Sequence, residues 1–245
     1  MLAIIGGSGL SQLANLEVKQ RRIARTPYGE PSGPLIVGCI HGHKVLFLAR
    51  HGYGHTIAPH QVNYRANLWA LKDIGADRIV SVASVGGIRA DLVPGTLLAP
   101  DQILDYTWGR AGTFFESVDA QVTHIDFTEP YSHGERRRIL DAAVACDETV
   151  GDGGVYATTQ GPRLETAAEI TRLERDGADV VGMTGMPEAA LAREIDLQYA
   201  AIAVVANYAA GRGESTHAIA LDRVAVVLEQ AMGRVRRIIE TLVVP

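Results

Sequence analysis

The chain has 245 residues, of which 47% are hydrophobic, and it carries a formal net charge of −5. This length suits one large α/β domain or two small ones with a full core. The acidic balance and the lack of any long basic run argue against nucleic acid as a partner.

Short apolar runs predict strands, and helix-like stretches alternate with many of them. The strand-like runs are Ala3–Ile5, Leu35–Ile40, Val45–Ala49, Ile79–Val82, Val155–Thr158, Val180–Met183 and Ala201–Ala206. The helix-like stretches are Val62–Ile74, a segment with a Thr166/Glu169 capping box that runs to about Asp176, Pro187–Ile195 and Val224–Leu242. The alternation predicts an α/β fold, a single domain over residues 1–245 whose central mixed β-sheet is flanked by helices.

The stretch from Thr107 to Ser132 interrupts this alternation. It has weak periodicity and many polar and aromatic residues. We expect a long loop there, and long loops of this kind are often functional.

Two segments place anion-binding groups directly after predicted strands. Gly6-Gly7-Ser8-Gly9 follows the first strand, so its N–H groups and the Ser8 hydroxyl can face an anion. Arg50 and His51 follow the strand that ends at Ala49, and an arginine can hold phosphate through two parallel donors. A plain glycine turn and a surface salt bridge are the alternatives that these segments leave open. A metal site formed by the histidines of this region is a weaker prediction, because no carboxylate or cysteine joins them at ligand spacing.

Met183 and Thr184 lie where a buried strand ends and a helix is about to begin. Pro187 suits the first helical position, and Glu188 suits the first helical turn. In open α/β sheets ligands bind at this kind of junction. The Thr184 hydroxyl and the free backbone N–H groups suit an anion or a sugar hydroxyl.

Two further polar residues have the chemistry to recognise a purine. Glu165 lies just before the helix cap, and its ionised carboxylate only accepts hydrogen bonds, so it would accept the N1–H of a 6-oxopurine. Asn207 ends the most apolar strand, and its amide, which can donate and accept hydrogen bonds, suits the N7 and O6 edge of a purine. A solvated carboxylate near a helix N-terminus and an asparagine that closes its own turn are the alternatives.

The two cysteines, Cys39 and Cys146, lack metal-ligand spacing and are expected to be small buried hydrophobes in a reducing compartment. The N-terminus enters an apolar strand without the basic start of a signal peptide. No apolar run is long enough to span a membrane. We therefore expect a cytoplasmic protein without a membrane partner.

Together these motifs resemble the trimeric purine nucleoside phosphorylase and methylthioadenosine phosphorylase family. The matching segments are Ile4–Gly9, Arg50–Gly52, Val62–Leu71, Gln160–Arg163 and Gly182–Glu188. The resemblance implies phosphorolysis, in which a nucleoside and phosphate give a free base and ribose 1-phosphate or its 5-methylthio analogue. It also implies a homotrimer with shared sites and no metal or organic cofactor, with inorganic phosphate as the co-substrate.

The resemblance also implies roles for individual residues. The residues that look like phosphate ligands are Ser8, Arg50, His51, Ser84 and Thr184. Met183 looks like the ribose contact, and Leu164 occupies the position where the family usually has a phenylalanine against the base. Glu165 and Asn207 occupy the catalytic positions that bind the base. His124 resembles a residue that reaches the 5′ pocket of the neighbouring subunit.

Departures from the family pattern indicate the substrate. The methylthioadenosine branch has two aspartates in a Thr-Asp-Tyr-Asp run, where this chain has Ala206-Asn207-Tyr208-Ala209, and it has serine where this chain has Glu165. Glu and Asn form the pair of the inosine and guanosine enzymes, but those enzymes place a histidine for the 5′-hydroxyl where this chain has Leu221. Ala83 replaces a phosphate-contacting threonine of the methylthioadenosine branch.

A base pocket for 6-oxopurines and an apolar 5′ pocket together imply S-methyl-5′-thioinosine as the substrate. The alternatives are a general 6-oxopurine nucleoside phosphorylase and a methylthioadenosine phosphorylase. A non-catalytic nucleotide-binding protein would leave the joint occurrence of Arg50, His51, Glu165 and Thr184 unexplained. A nicotinamide oxidoreductase is disfavoured because the G-x-G-x-x-G spacing is absent.

Overall fold

The computed structural model describes residues 1–10, 13–116 and 121–244. Its strands are β1 (Leu2–Gly6), β2 (Glu17–Arg22), β3 (Leu35–Ile40), β4 (His43–Ala49), β5 (Arg78–Gly87), β6 (Leu97–Ala99), β7 (Gln102–Asp105), β8 (Gly151–Asp152), β9 (Val155–Thr158), β10 (Val180–Gly182) and β11 (Gln198–Tyr208). Its α-helices are α1 (Tyr64–Asp73), α2 (His133–Ala145), α3 (Ala167–Arg175), α4 (Gly185–Glu194) and α5 (Leu221–Val243). Short 3₁₀ helices span Pro59–Gln61 and Gly213–Ser215.

The strands form one mixed sheet that branches at β5. Its main path runs β2-β3-β4-β1-β5-β10-β9-β7, while β5 also pairs with β11, which continues to β6 and β8. The pairs of β1 with β4 and β5, and of β5 with β11, are parallel. The pair of β5 with β10 is antiparallel. The predicted α/β fold with a mixed sheet is therefore confirmed.

The central strands are apolar because both of their faces are covered, as is usual for parallel strands in α/β sheets. Every residue of β1 is buried, and in β11 eight consecutive residues from Tyr199 are buried. Helix α5 packs the Met232, Val235 and Ile239 side chains into the same core cluster as Ile4. At one edge, β2 exposes all of its residues, and its charged side chains are typical of a protected edge strand.

The local helix signals agree with the structure. The Thr166 hydroxyl accepts from the Glu169 N–H, and the Glu169 carboxylate accepts from the Thr166 N–H, which completes the predicted capping box. Residues 107–116 and 121–132 contain no helix or strand, as predicted for the loop. Cys39 and Cys146 are half-buried rather than fully buried. No described helix has both the length and the apolar content that crossing a bilayer requires.

Candidate active site

The ends of several central strands surround one cavity of about 430 Å³. The predicted site residues that line it are Ser8, Arg50, His51, Ser84, Leu164, Glu165, Met183, Thr184, Asn207 and Leu221. They are distant in sequence. They meet because β1, β4, β5, β10 and β11 all end near this region of the sheet. His124 is exposed and does not line the cavity of its own chain.

Arg50 is a buried charge at the cavity, and only 1% of its side chain is exposed. Its Nε donates to Glu188 Oε2 at 2.7 Å, and its Nη2 donates to Glu188 Oε1 at 2.9 Å. Nη2 also donates to Ser81 Oγ, and Nη1 donates to the Val82 carbonyl at 3.1 Å. A guanidinium has five N–H donors, so one Nη1 hydrogen remains for a ligand.

This arrangement changes how Arg50 can bind phosphate. The two-donor contact expected from the sequence is already made with Glu188, so phosphate would meet one N–H and the positive charge. Burial by itself would lower the pKa of Arg50, but the adjacent Glu188 carboxylate raises it above its usual value. Gly7 lies directly against this group, since a Cβ there would come within 2.8 Å of Arg50 Nη1.

Glu188 was not predicted as part of the site. Its carboxylate is fully buried and also accepts hydrogen bonds from Ser81 Oγ and the Tyr199 hydroxyl, each at 2.8 Å. The sequence showed only that Glu188 suits a first helical turn. Its partner Arg50 is 138 residues away, and no local pattern relates the two positions.

His51 is held by the loop that follows it. Its Nδ1 lies 2.8 Å from the Ile57 carbonyl oxygen. Because a carbonyl only accepts, Nδ1 carries the hydrogen and Nε2 of the neutral ring is an acceptor. Burial, reinforced by the nearby Arg50 charge, lowers the pKa of His51 to about 4. The ring is therefore neutral at pH 7.

This lowered pKa predicts a pH-dependent contribution to stability. Between the ordinary histidine pKa of about 6.5 and about 4, the unfolded chain binds a proton that the folded chain does not. The free energy of unfolding therefore falls as the pH drops through this window. We expect the stability difference between the wild type and His51→Gln to be larger at pH 7 than at pH 4.5 in urea unfolding. A difference that stays constant with pH would contradict this assignment.

His55, whose role the sequence does not indicate, also lines the cavity. Its ring lies 4.5 Å from that of His51 between centroids, and its Nε2 lies 3.5 Å from Ser8 Oγ. Burial, followed by the Arg50 charge, lowers the pKa of His55. The pair of rings thus forms one neutral, polar wall beside Ser8. Among the described residues, no group of three or more His, Cys, Asp or Glu side chains could hold a metal ion.

The two residues that are predicted to contact the base, Glu165 and Asn207, both line the cavity. Thr159 Oγ1 donates to Glu165 Oε1 at 2.5 Å, which fixes one carboxylate oxygen and leaves the other for a ligand. Asn207 Nδ2 donates to the Tyr208 carbonyl at 2.7 Å. This is the backbone contact that the turn interpretation allows, and it leaves the second Nδ2 hydrogen and Oδ1 of Asn207 for other partners.

The other part of the cavity is apolar. Ile219, Leu221 and Val224 line it at the start of α5. Leu221 is 65% exposed and Leu164 is 42% exposed, although large aliphatic side chains are usually buried. A ligand with an apolar group would cover such side chains and gain about 25 cal/mol for each Å² of apolar surface removed from water.

The chain is similar to known proteins over most of its length. The chain is 55% identical over 214 residues to a probable S-methyl-5′-thioinosine phosphorylase of Xanthomonas campestris pv. campestris, covering 87% of this chain and 86% of the relative. It is 46% identical over 215 residues to a probable 6-oxopurine nucleoside phosphorylase of Thermococcus kodakarensis, and the match covers 86% of this chain and 80% of that relative.

A solved methylthioadenosine phosphorylase of Schistosoma mansoni, in complex with adenine, superposes with a TM-score of 0.94. It is 34% identical to this chain, and the match covers 99% of this chain and 90% of that structure. The family model of the phosphorylase superfamily matches residues 1–243. The chain therefore belongs to the phosphorylase superfamily.

Proposed function

We propose that this protein catalyses the phosphorolysis of S-methyl-5′-thioinosine to hypoxanthine and 5-methylthioribose 1-phosphate. One observation carries the proposal. A single cavity joins the acceptor Glu165 and the amide Asn207 to an apolar wall that contains Leu221. A 6-oxopurine base needs the former, and a methylthio group in place of a 5′-hydroxyl needs the latter. The names of two relatives that are more than half identical to this chain support the same substrate.

In the proposed mechanism, phosphate lies among Ser8, Arg50, His51, Ser84 and Thr184, below C1′ of the sugar. The glycosidic bond stretches towards an oxocarbenium-like cation, and the phosphate dianion stabilises that positive charge. Met183 contacts the ribose, and Leu164 packs against the base. No metal or organic cofactor takes part in this scheme, since phosphate itself is the nucleophile.

The leaving purine becomes nearly anionic as the bond breaks. Asn207 donates to its N7 and O6 edge, while the free oxygen of Glu165 accepts N1–H. These contacts strengthen as charge develops on the base, which is the condition for accelerating the step. His51 is neutral with Nε2 as an acceptor, so it accepts a hydrogen bond from the hydroxyl of the phosphate dianion.

The decisive experiment measures phosphate-dependent release of base from S-methyl-5′-thioinosine, 5′-methylthioadenosine and inosine, compared by kcat/KM. We expect methylthioinosine to be the best of the three. Equal or faster cleavage of inosine would instead make the enzyme a general 6-oxopurine nucleoside phosphorylase, the second candidate, which the relatives of that name favour. Preference for methylthioadenosine would refute the role of Asn207.

We also propose a homotrimer in which His124 of the partner subunit completes the 5′ pocket. The exposure of His124 and of Leu221 supports this arrangement. The expected solution mass is three times 26.2 kDa, and light scattering after size exclusion would measure it. In a trimer, His124→Ala should raise KM for methylthioinosine and leave KM for phosphate unchanged. A monomer with full activity would refute the proposal.

A further inference from the structure

We propose that Arg110 is a positioning residue that joins the two segments on which the base and the sugar-phosphate contacts depend. The inference deepens the proposed function and rests on it. Arg110 lies between β7 and α2, in the stretch for which the sequence predicts a long loop. It is half-buried and does not line the main cavity, so it acts through the residues that it holds.

The guanidinium of Arg110 binds the segment that leads to the base contacts. Its Nη2 donates to the Gln160 carbonyl at 2.8 Å and to the Thr159 carbonyl at 3.3 Å. Its Nε donates to Gln160 Oε1 at 3.2 Å, and the same oxygen accepts from the Trp108 N–H. Thr159 in turn fixes Glu165 through its hydroxyl. Arg110 therefore determines where the Glu165 carboxylate sits.

The same guanidinium binds the segment that carries the sugar and phosphate contacts. Its Nη1 donates to the Met183 carbonyl at 2.8 Å and to the Met186 carbonyl at 2.6 Å. Met183 precedes Thr184, the N-cap of α4, so its carbonyl lies outside the helix and has no intrahelical donor. Met186 also has non-helical dihedral angles, φ −118° and ψ 141°. Arg110 therefore donates to backbone carbonyls on both sides of the Thr184–Gly185 helix start.

Arg110 extends the connection between the two segments beyond the sheet. The parallel pairing of β9 with β10 ends at Thr158 and Gly182, and the Thr159 N–H donates to the Gly182 carbonyl at 2.8 Å. Past that point, the donors of Arg110 span the gap. All five N–H donors of the side chain are used in these contacts. Because the guanidinium is a rigid plane, it fixes the spacing between Glu165 and the Met183–Thr184 pair.

The test uses Arg110→Gln and Arg110→Lys in the full chain, with Arg137→Gln as the control. Arg137 is 68% exposed and pairs with Asp141 on the surface of α2. For Arg110→Gln we expect kcat/KM for the nucleoside to fall about 100-fold, as for a displacement of about 1 Å at a reacting site. KM should rise for both nucleoside and phosphate, because both segments lose their common support. Arg110→Lys keeps the positive charge but lacks the planar guanidinium, so its kcat/KM and KM values should lie between those of the wild type and Arg110→Gln.

Amide hydrogen exchange supplies a readout that does not depend on turnover. In both variants we expect faster exchange within residues 159–165 and 182–186, with little change in the central strands and none in the control. Unchanged exchange and unchanged KM values in Arg110→Lys and Arg110→Gln would overturn the inference. If Arg110→Gln does not fold, Arg110→Lys decides alone. If the wild type cleaves no nucleoside, the proposed function fails, whereas the exchange result still decides the role of Arg110.

Discussion

Replacement of Glu188 by glutamine is expected to lower the free energy of unfolding by about 3–5 kcal/mol, the cost of leaving one partner of a buried ion pair uncompensated. The Glu188 carboxylate accepts hydrogen bonds from Arg50, Ser81 and Tyr199, and all of these partners are donors. A glutamine has one accepting oxygen and an NH₂ group, so one donor would face another in a region without solvent. Urea unfolding at pH 7 measures the effect.

The matched control is Glu214→Gln. Glu214 also pairs with an arginine, Arg223, but both side chains are more than 70% exposed, at 76% and 73%. Exposed pairs contribute about 0–1 kcal/mol, so this variant should unfold almost as the wild type does. If Glu188→Gln is no less stable than Glu214→Gln, Arg50 does not depend on its carboxylate partner.

The same variant should impair catalysis where it still folds. Arg50 has one Nη1 hydrogen without a partner among the described residues, and it lies beside the proposed phosphate site. Without Glu188 the guanidinium loses the contact that orients it, so KM for phosphate is expected to rise more than KM for the nucleoside. Equal changes in both KM values would contradict a specific effect on phosphate, whereas a lower kcat with both KM values unchanged would indicate a loss of folded protein.

Combining Glu165→Ser with Asn207→Asp is expected to exchange the base preference. In the proposed site Glu165 accepts N1–H of a 6-oxopurine, but it would face the lone pair of N1 in a 6-aminopurine, where no hydrogen is present. An unmatched buried polar contact costs about 1–3 kcal/mol. An aspartate at position 207 can accept a hydrogen bond from a 6-amino group, which the neutral amide does less well. The measurement is kcat/KM for S-methyl-5′-thioinosine and 5′-methylthioadenosine in the double variant and the wild type.

Two contacts of this size, about 2–6 kcal/mol together, correspond to a change of about 30-fold to 10⁴-fold in the ratio of the two kcat/KM values, since about 1.4 kcal/mol is a factor of ten. Leu221→His is the control, because it alters the 5′ end of the cavity and leaves the base contacts in place. It should reduce the preference for methylthio substrates over inosine without changing the preference between 6-oxo and 6-amino bases. A double variant that still rejects 6-aminopurines would show that base choice is decided elsewhere in the cavity.

Several features follow from local sequence alone. The apolar runs identify the central strands because a strand covered on both faces must be apolar throughout. The Thr166/Glu169 capping box and the apolar period of α5 report a helix start and a buried helix face, which depend on residues only a few positions apart. Polar residues at strand ends identify the cavity because the carboxyl ends of strands in an α/β sheet form the ligand crevice.

Short or polar elements did not follow from the same patterns. Strand β2 is fully exposed and highly charged, and β6, β7 and β8 are too short to show a period of two. These strands exist because neighbouring strands supply their hydrogen-bond partners. The branching of the sheet at β5 is also invisible in sequence, since it depends on which strand reaches each edge.

Only the tertiary structure decided which polar groups are partners. The carboxylate of Glu188 meets Arg50 across 138 positions, and Arg110 binds carbonyls 49 to 76 positions away. Such pairs depend on the packing of the whole chain, which brings distant segments within about 3 Å. Sequence patterns report dihedral preference and the burial of a face, so they indicated which strand ends form the cavity. Packing determined which of their donors and acceptors are already satisfied.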